Sequence, residues 1–223
     1  MNHGVIKRLA GVAGVAGAAV LLSSLLSACV GPLLVGGAMV GGTLVAVDRR
    51  TSGAQLDDEA IELRAASQIR ANLGTRVRAS VTSYNRQVLL TGEVPNLQDK
   101  QRVEDVVKSV ENVASVVNEL AVLNSPSLMD RSADALLTGR VKAMLLDASD
   151  LQSNAFKVVT ERNTVYLMGR VTQREADRAT EVVRATPGVQ KVVRLLEIIS
   201  EQELQRLGTV PGGSAQPAAA TKL

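Results

Sequence analysis

The residue best suited to covalent chemistry in this chain is Cys29, the only cysteine among 223 residues. A basic pair, Lys7 and Arg8, precedes an apolar stretch at residues 9–26, and small residues lead directly into the cysteine. A positive segment, an apolar segment and small residues in this order are typical of a secretory signal peptide. We therefore expect residues 1–28 to be removed, which leaves Cys29 as the first residue of the mature chain.

The tetrad Leu26-Ser27-Ala28-Cys29 resembles the lipobox of bacterial lipoproteins. In that class the cysteine sulfur carries a diacylglycerol, and the cysteine amine is acylated once the preceding peptide is removed. The resemblance implies lipidation at Cys29; the alternative is a small buried apolar cysteine, a common environment for free thiols. Two or three buried acyl chains anchor a protein stably, at about 0.8 kcal/mol per methylene.

The rest of the mature chain offers little for catalysis. The only histidine, His3, lies in the predicted signal peptide, which removes the commonest general base and metal ligand. No Ser-x-x-Lys, Gly-x-Ser-x-Gly or Walker phosphate loop occurs. Paired carboxylates can hydrolyse glycosides, but the only aromatic rings that could stack on a sugar are Tyr84, Phe156 and Tyr166. We expect no enzyme, no cofactor and no metal.

The charge balance also argues against a nucleic-acid partner. Without residues 1–28 the chain carries 23 basic and 22 acidic residues. Nucleic-acid-binding surfaces need a concentrated basic face, often with stacking rings. Because one cysteine cannot form an internal disulfide, the domains must be stabilised by their hydrophobic cores.

A second apolar stretch follows the cysteine at residues 30–47. Its 18 residues just reach the length of a membrane span, and Gly37-x-x-x-Gly41 is a helix-packing motif. Repeated glycines weaken a helix by about 1 kcal/mol each relative to alanine, which favours a small-residue tether on or near the bilayer over a membrane span. We assign residues 29–53 to this lipidated tether.

The remainder of the chain contains an internal repeat. Residues 88–94, Val-Leu-Leu-Thr-Gly-Glu-Val, match residues 165–171, Val-Tyr-Leu-Met-Gly-Arg-Val, at an offset of 77. Farther on, residues 113–117 match residues 189–193 at an offset of 76. Such agreement predicts two copies of one fold.

Each copy is predicted to fold as helix, strand, strand, helix, strand, from the spacing of its apolar residues. In the first copy we expect helices to start near Asp57-Asp58 and after Asn96, a capping residue. In the second copy they start near Ser132 and at Thr172-x-x-Glu175, a capping box. The predicted final strands span residues 113–123 and 189–199.

Gly92 and Gly169 occupy equivalent places, at the end of the second strand of each copy and just before the helix. A glycine there indicates that the backbone bends or that the helix approaches closely. Approach of a ligand is the alternative. We treat both glycines as structural hallmarks of the repeat.

With these glycine corners, capped helices and hydrophobic final strands, both copies resemble the BON domain. The resemblance is carried by residues 81–84, 88–92, 95–96 and 167–176. It implies an α+β fold of two tandem BON domains, each an α-β-β-α-β unit with two helices packed on a three-stranded mixed sheet. The predicted organisation is a signal peptide at 1–28, a tether at 29–53, BON domains at 54–123 and 132–199 with a linker at 124–131, and a disordered tail at 200–223.

Together with the lipobox, the two copies resemble the dual-BON outer-membrane lipoproteins of Gram-negative bacteria. The resemblance implies binding of anionic phospholipids such as phosphatidylglycerol and cardiolipin, chiefly by the second domain, and a role in outer-membrane integrity without catalysis, cofactor or metal. In enteric bacteria an Asp after the lipidated cysteine retains a lipoprotein in the inner membrane, and Val30 occupies that position here. A lipid-anchored location on the periplasmic face of the outer membrane is therefore implied.

The two copies differ in charge in the direction that this function needs. Residues 57–123 carry 8 basic and 10 acidic side chains, whereas residues 130–199 carry 11 basic and 9 acidic. Each surface cation adds about 1 kcal/mol near an anionic membrane. Leu136 and Arg140 flank the core stripe of the second copy's first helix, so they are our candidate phospholipid-binding residues. An ordinary half-exposed helix edge is the alternative, and the helix lacks the aromatic residues of a membrane belt.

A second class of function stays open. The chain could be a protein-protein adaptor that uses exposed sheet edges or the acidic first copy to dock an envelope assembly machine, such as the outer-membrane protein assembly machinery. Binding of the soluble part to anionic vesicles would separate the two classes.

Overall fold

The computed structural model describes residues 48–123 and 128–208. The predicted signal peptide, Cys29, residues 30–47, residues 124–127 of the predicted linker and residues 209–223 lie outside the described residues. The predicted α+β fold with two repeats is confirmed, since each copy contains two helices and a mixed sheet.

The first domain comprises α1 (Ser52–Leu73), β1 (Arg78–Tyr84), β2 (Gln87–Val94), α2 (Leu97–Lys108), β3 (Ser115–Asn118) and β4 (Ala121–Val122). The second domain comprises α3 (Leu128–Asp147), a short 3-10 helix (Ser153–Ala155), β5 (Phe156–Glu161), β6 (Thr164–Val171), α4 (Gln173–Ala185) and β7 (Lys191–Ile198). Helix α5 (Glu201–Gly208) follows.

In each sheet the second strand of the domain lies in the middle. β1 pairs antiparallel with β2, which pairs in parallel with β3 and β4; β5, β6 and β7 repeat this arrangement. The prediction of one continuous final strand in the first domain was wrong. There Leu120 is 1% exposed and its amide bonds to the Asn118 side chain, which divides the strand into β3 and β4.

Two separate hydrophobic cores lie between each sheet and its own helices. Burying an aliphatic side chain contributes about 1.5–3 kcal/mol, so these cores supply the main stabilisation. The first core is built on Ile61, Ala65, Ile69, Val88, Leu90, Val103 and Val107. The second is built on Leu137, Val141, Leu145, Val165, Leu167, Ala176, Ala179 and Val183.

Each hairpin turn is held by an aspartate of the helix that precedes it. The turns Asn85-Arg86 and Arg162-Asn163 have positive φ at both residues, as a two-residue hairpin with the right twist requires. The turn amides donate to the buried carboxylate of Asp58 in the first domain, at 2.7 and 2.8 Å. Asp134 does the same in the second domain, at 2.8 and 3.0 Å.

The first helix starts earlier than predicted, because Thr51 caps it and not Asp57 or Asp58. Helix α1 begins at Ser52, and the Thr51 side chain caps it by accepting a hydrogen bond from the Ala54 amide at 3.1 Å. Asp58 faces the hairpin instead of the helix end. Helix α3 likewise begins at Leu128, ahead of the predicted start near Ser132.

Both other predicted helix starts are confirmed. Asn96 accepts from the Asp99 amide at 2.8 Å at the start of α2. Thr172 and Glu175 form the capping box of α4, in which each side chain accepts from the other residue's backbone amide.

The chain after the last strand is helical where a disordered tail was predicted to begin. Helix α5 starts with a hydrogen bond from the Glu203 amide to the Ser200 hydroxyl at 3.1 Å. Arg170 of β6 pairs with the Glu203 carboxylate at 2.8 Å. Residues 201–208 are therefore part of the fold.

Gly92 and Gly169 stand where the start of the neighbouring strand approaches closely. A Cβ at Gly92 would overlap the Arg78 carbonyl oxygen, and a Cβ at Gly169 would overlap the Ala155 carbonyl oxygen. Gly92 also has φ of +115°, which side-chain-bearing residues rarely adopt. The approaching group is the backbone at the start of β1 for Gly92 and the last residue before β5 for Gly169, and in neither domain is it the α-helix that follows the glycine.

Candidate functional site

The two domains pack against each other through the sheet faces that point away from their helices. Leu89 and Tyr84 of the first domain meet Tyr166 and Met168 of the second in one buried cluster. All four side chains are at most 5% exposed. These four side chains are therefore not available for docking a partner.

A polar network surrounds this cluster. Arg78 bridges Glu93 of its own domain, at 2.6 Å, and Glu161 of the second domain, at 2.8 Å. Arg162 reaches back to Glu93 at 3.4 Å. Burial raises the pKa of Glu161 above its ordinary value, although the nearby Arg78 opposes the shift. The network thus neutralises two buried carboxylates at the domain boundary.

A third connection between the domains is made by the three residues Asp48, Arg49 and Arg50, which we call the arginine clasp. Arg49 is 6% exposed and donates two hydrogen bonds to the Glu175 carboxylate, at 2.7 and 2.8 Å. It also donates to the Arg170 carbonyl at 3.0 Å and to Gln152 at 3.2 Å. Arg49 is therefore bound to the second domain.

Arg50 of the clasp is bound to the first domain. Its guanidinium donates to Asp58 at 2.7 Å and to Asp48 at 2.6 Å, and it lies 4.5 Å from the centre of the Tyr84 ring. Desolvation alone would raise the pKa of Asp58, but hydrogen bonds from Ser83, the turn amides and Arg50 hold it below its ordinary value. Sequence reasoning missed both arginines, because it assigned them to the tether.

The outward face of α3 carries the predicted residue Leu136, which is 72% exposed. Leu146, in the last turn of the helix, is 71% exposed. Gly139 and Ala143 are exposed between them and lie on the same side at helical spacing. We call these four residues the α3 face.

Arg140 is exposed beside the α3 face, but part of its guanidinium is engaged. Its Nη1 atom donates to the Pro187 carbonyl at 2.6 Å. The sequence predicted an outward-facing cation at this position, whereas in the structure its guanidinium is hydrogen-bonded to the loop between α4 and β7. Among the described residues, Arg131 and Lys142 of the same helix are exposed and have no carboxylate partner.

Helix α1 is the counterpart of α3 in the first domain. It also exposes leucines, Leu56 at 67% and Leu63 at 74%. Its charges differ, because α1 contains four acidic and two basic residues, whereas α3 contains three of each. Each helix turns one aspartate inward to its hairpin, Asp58 in α1 and Asp134 in α3, so the difference in charge remains on the outward faces. The α3 face is thus the better match for an anionic surface.

The described helices include none that is both long and apolar enough to cross a bilayer. Within the same described part of the chain, no three or more His, Cys, Asp or Glu side chains are grouped so that they could hold a metal ion.

Comparison with known proteins identifies the two repeats. The BON domain profile matches residues 57–124 and 133–200. The chain is 35% identical over 176 residues to outer membrane lipoprotein DolP of Haemophilus influenzae, covering 78% of this chain and 90% of that protein. It is 32% identical over 155 residues to a 21 kDa hemolysin of Actinobacillus pleuropneumoniae, covering 69% and 80% respectively.

Among solved structures, CdsD, a structural protein of the type III secretion system of Chlamydia trachomatis, matches 66% of this chain and 99% of its own, with 13% identity and a TM-score of 0.28. The two profile matches and the long similarity to an outer-membrane lipoprotein agree with each other. The chain belongs to the BON-domain family and is a dual-BON outer-membrane lipoprotein.

Proposed function

We propose that the protein binds anionic phospholipid through the α3 face of its second BON domain and thereby helps to maintain the outer membrane. The observation that carries this proposal is the exposure of Leu136 and Leu146 on one side of a helix whose exposed cations have no carboxylate partner among the described residues. Interfacial helices combine an apolar strip with flanking Lys and Arg in this way.

The anchor in this proposal is Cys29, lipidated on its sulfur and amine and held in the periplasmic leaflet. An anchored domain meets the bilayer at a high effective concentration, so a weak second contact is sufficient. The α3 face supplies such a contact, since each exposed cation near an anionic surface is worth about 1 kcal/mol. Cys29 lipidation is tested by the intact mass of the mature protein.

The proposal is tested with the soluble unit, residues 48–208, in a vesicle flotation assay at low salt. We expect this unit to float with phosphatidylglycerol or cardiolipin vesicles and not with phosphatidylcholine vesicles. Leu136→Glu should abolish flotation, while Leu63→Glu on the acidic helix α1 is the matched control and should leave it unchanged. Failure of the unaltered unit to bind anionic vesicles would reject the proposal.

A second candidate function is favoured by the exposed leucines of α1. Leu56 and Leu63 lie seven residues apart on one side of an acidic helix, which suits a basic protein surface better than an anionic membrane. An adaptor that docks an envelope assembly machine would use this helix. Leu56→Glu with Leu63→Glu should then remove a stoichiometric partner from a pull-down of the full-length protein.

A further inference from the structure

The arginine clasp occupies an unusual place in the chain. Arg49 and Arg50 follow the apolar residues 30–47 almost directly. Arginines at such a position normally lie among lipid headgroups, where each contributes about 1 kcal/mol to binding an anionic membrane. Here both side chains turn into the fold, and their charges are matched by carboxylates that are partly or fully buried.

The pairing of Arg49 is specific in its geometry. Its two terminal nitrogens bind the two oxygens of Glu175, a two-pronged arrangement that Lys cannot reproduce. Glu175 also accepts from the Thr172 amide at the start of α4, and Arg170 returns a hydrogen bond to the Arg49 carbonyl at 3.2 Å. The backbone at Arg49 is therefore fixed as well as its side chain.

The partners of Arg49 show where the segment before α1 contacts the second domain. Gln152 lies five residues after the end of α3, and Glu175 lies in the first turn of α4. This is the end of the domain where α3 finishes with the exposed Leu146. The segment that leads from Cys29 thus joins the fold beside the C-terminal end of α3.

We infer that Arg49 and Arg50 are positioning residues for membrane contact. By fixing the membrane-proximal segment beside the C-terminal end of α3, the clasp orients the second domain toward the bilayer. Arg50 holds the first domain to the same segment through Asp58. The inference rests on the proposed lipid contact of α3 and on the anchor at Cys29. It adds the element that orients the contact.

The test compares two fluorescent labels on the lipidated full-length chain in vesicles of phosphatidylglycerol and phosphatidylcholine that contain a headgroup-labelled quencher. Ser149→Cys places a label at an exposed site just after α3, and Ser80→Cys places one at an exposed site of the first domain. Acylated Cys29 does not react with the label. We expect stronger quenching at position 149 than at position 80.

In the Arg49→Gln, Arg50→Gln variant we expect this difference in quenching to disappear. Arg64→Gln is the control, because Arg64 forms an exposed pair with Glu111 outside the clasp; it should leave the difference unchanged. Equal quenching at both sites in the unaltered protein, or a difference that survives in the clasp variant, would overturn the inference.

Loss of folding in the double variant would be detected by circular dichroism, and Arg49→Lys then replaces it. Lys keeps the charge and loses the two-pronged bond to Glu175, so the difference in quenching should shrink while the fold is retained; an unchanged difference overturns the inference.

The proposed function is tested separately. The unanchored unit, residues 48–208, should bind anionic vesicles equally well with or without the Arg49→Lys substitution, whereas Leu136→Glu should abolish that binding.

Discussion

Arg78 of the first BON domain donates a hydrogen bond to Glu161 of the second at 2.8 Å, beside the buried cluster that joins the two sheets. The same guanidinium binds Glu93 in its own domain. A single arginine thus serves carboxylates of both domains, and the two repeats form one structural unit.

The first prediction concerns the apolar contact between the domains. Tyr166 is 3% exposed, and its hydroxyl donates to Glu119 of the other domain at 3.3 Å. Tyr166→Ala should lower the free energy of unfolding by about 3 kcal/mol, because it leaves a cavity in the interface. Tyr166→Phe keeps the ring and should cost only about 1 kcal/mol, the value of one hydrogen bond. Urea titration measures both; equal losses would show that the ring packing is unimportant.

The second prediction concerns the glycine at the strand corner. Gly92→Ala should destabilise the protein by more than about 2 kcal/mol, because the positive φ is strained for alanine and the new Cβ overlaps the Arg78 carbonyl. Gly139→Ala is the matched control. Gly139 lies in α3 with no atom within 4 Å of an added Cβ, so alanine should stabilise the helix by about 1 kcal/mol. Thermal unfolding of both variants checks the opposite signs.

The third prediction concerns the aspartate that holds the second hairpin. Asp134→Ala leaves the amides of Arg162 and Asn163 without their acceptor and should cost about 3 kcal/mol. Asp147→Ala in the same helix is the control, since this exposed carboxylate at the helix C-terminus opposes the helix dipole. Hydrogen exchange at the two turn amides should accelerate in Asp134→Ala alone. Unchanged exchange there would contradict the assigned role.

The fourth prediction is a pH dependence with opposite signs at two glutamates. Burial alone would raise the pKa of Glu175, but hydrogen bonds from Arg49 and Thr172 hold it below the ordinary 4.5. Its contribution to stability is therefore present above pH 4.5 and is lost as the pH falls through the lower folded pKa. The stability advantage of the unaltered protein over Glu175→Gln should shrink as the pH falls below 4.5.

Glu161 should behave in the opposite way. Burial raises its folded pKa above 4.5, so its contribution to stability is fully present below pH 4.5 and is lost as the pH rises through the folded pKa. The unaltered protein should therefore gain stability relative to Glu161→Gln as the pH is lowered toward 4.5. Urea unfolding at a series of pH values measures both differences, and parallel curves for the two variants would refute the assignment.

Local signals in the sequence account for most of the fold of each domain. Short stretches of residues predict the repeat and the order of helices and strands, and they also predict the Asn96 cap and the Thr172–Glu175 capping box. Periodicity and capping depend on residues only a few positions apart along the chain. Leu136 could be assigned to the outward side of a helix for the same reason. The continuous apolar run at residues 88–90 was also a signal, since a strand covered on both faces lacks alternation.

The tertiary structure alone decided how these elements are used. Tyr166 is buried only because the sheet of the first domain packs against it. Arg140 donates to the Pro187 carbonyl only because α4 and the loop after it pack beside α3. The partner of Arg49 lies 126 positions away along the chain, so no spacing rule can reveal it. Helix propensity and capping are local properties, whereas the pairing of buried charges depends on which surfaces the fold brings together.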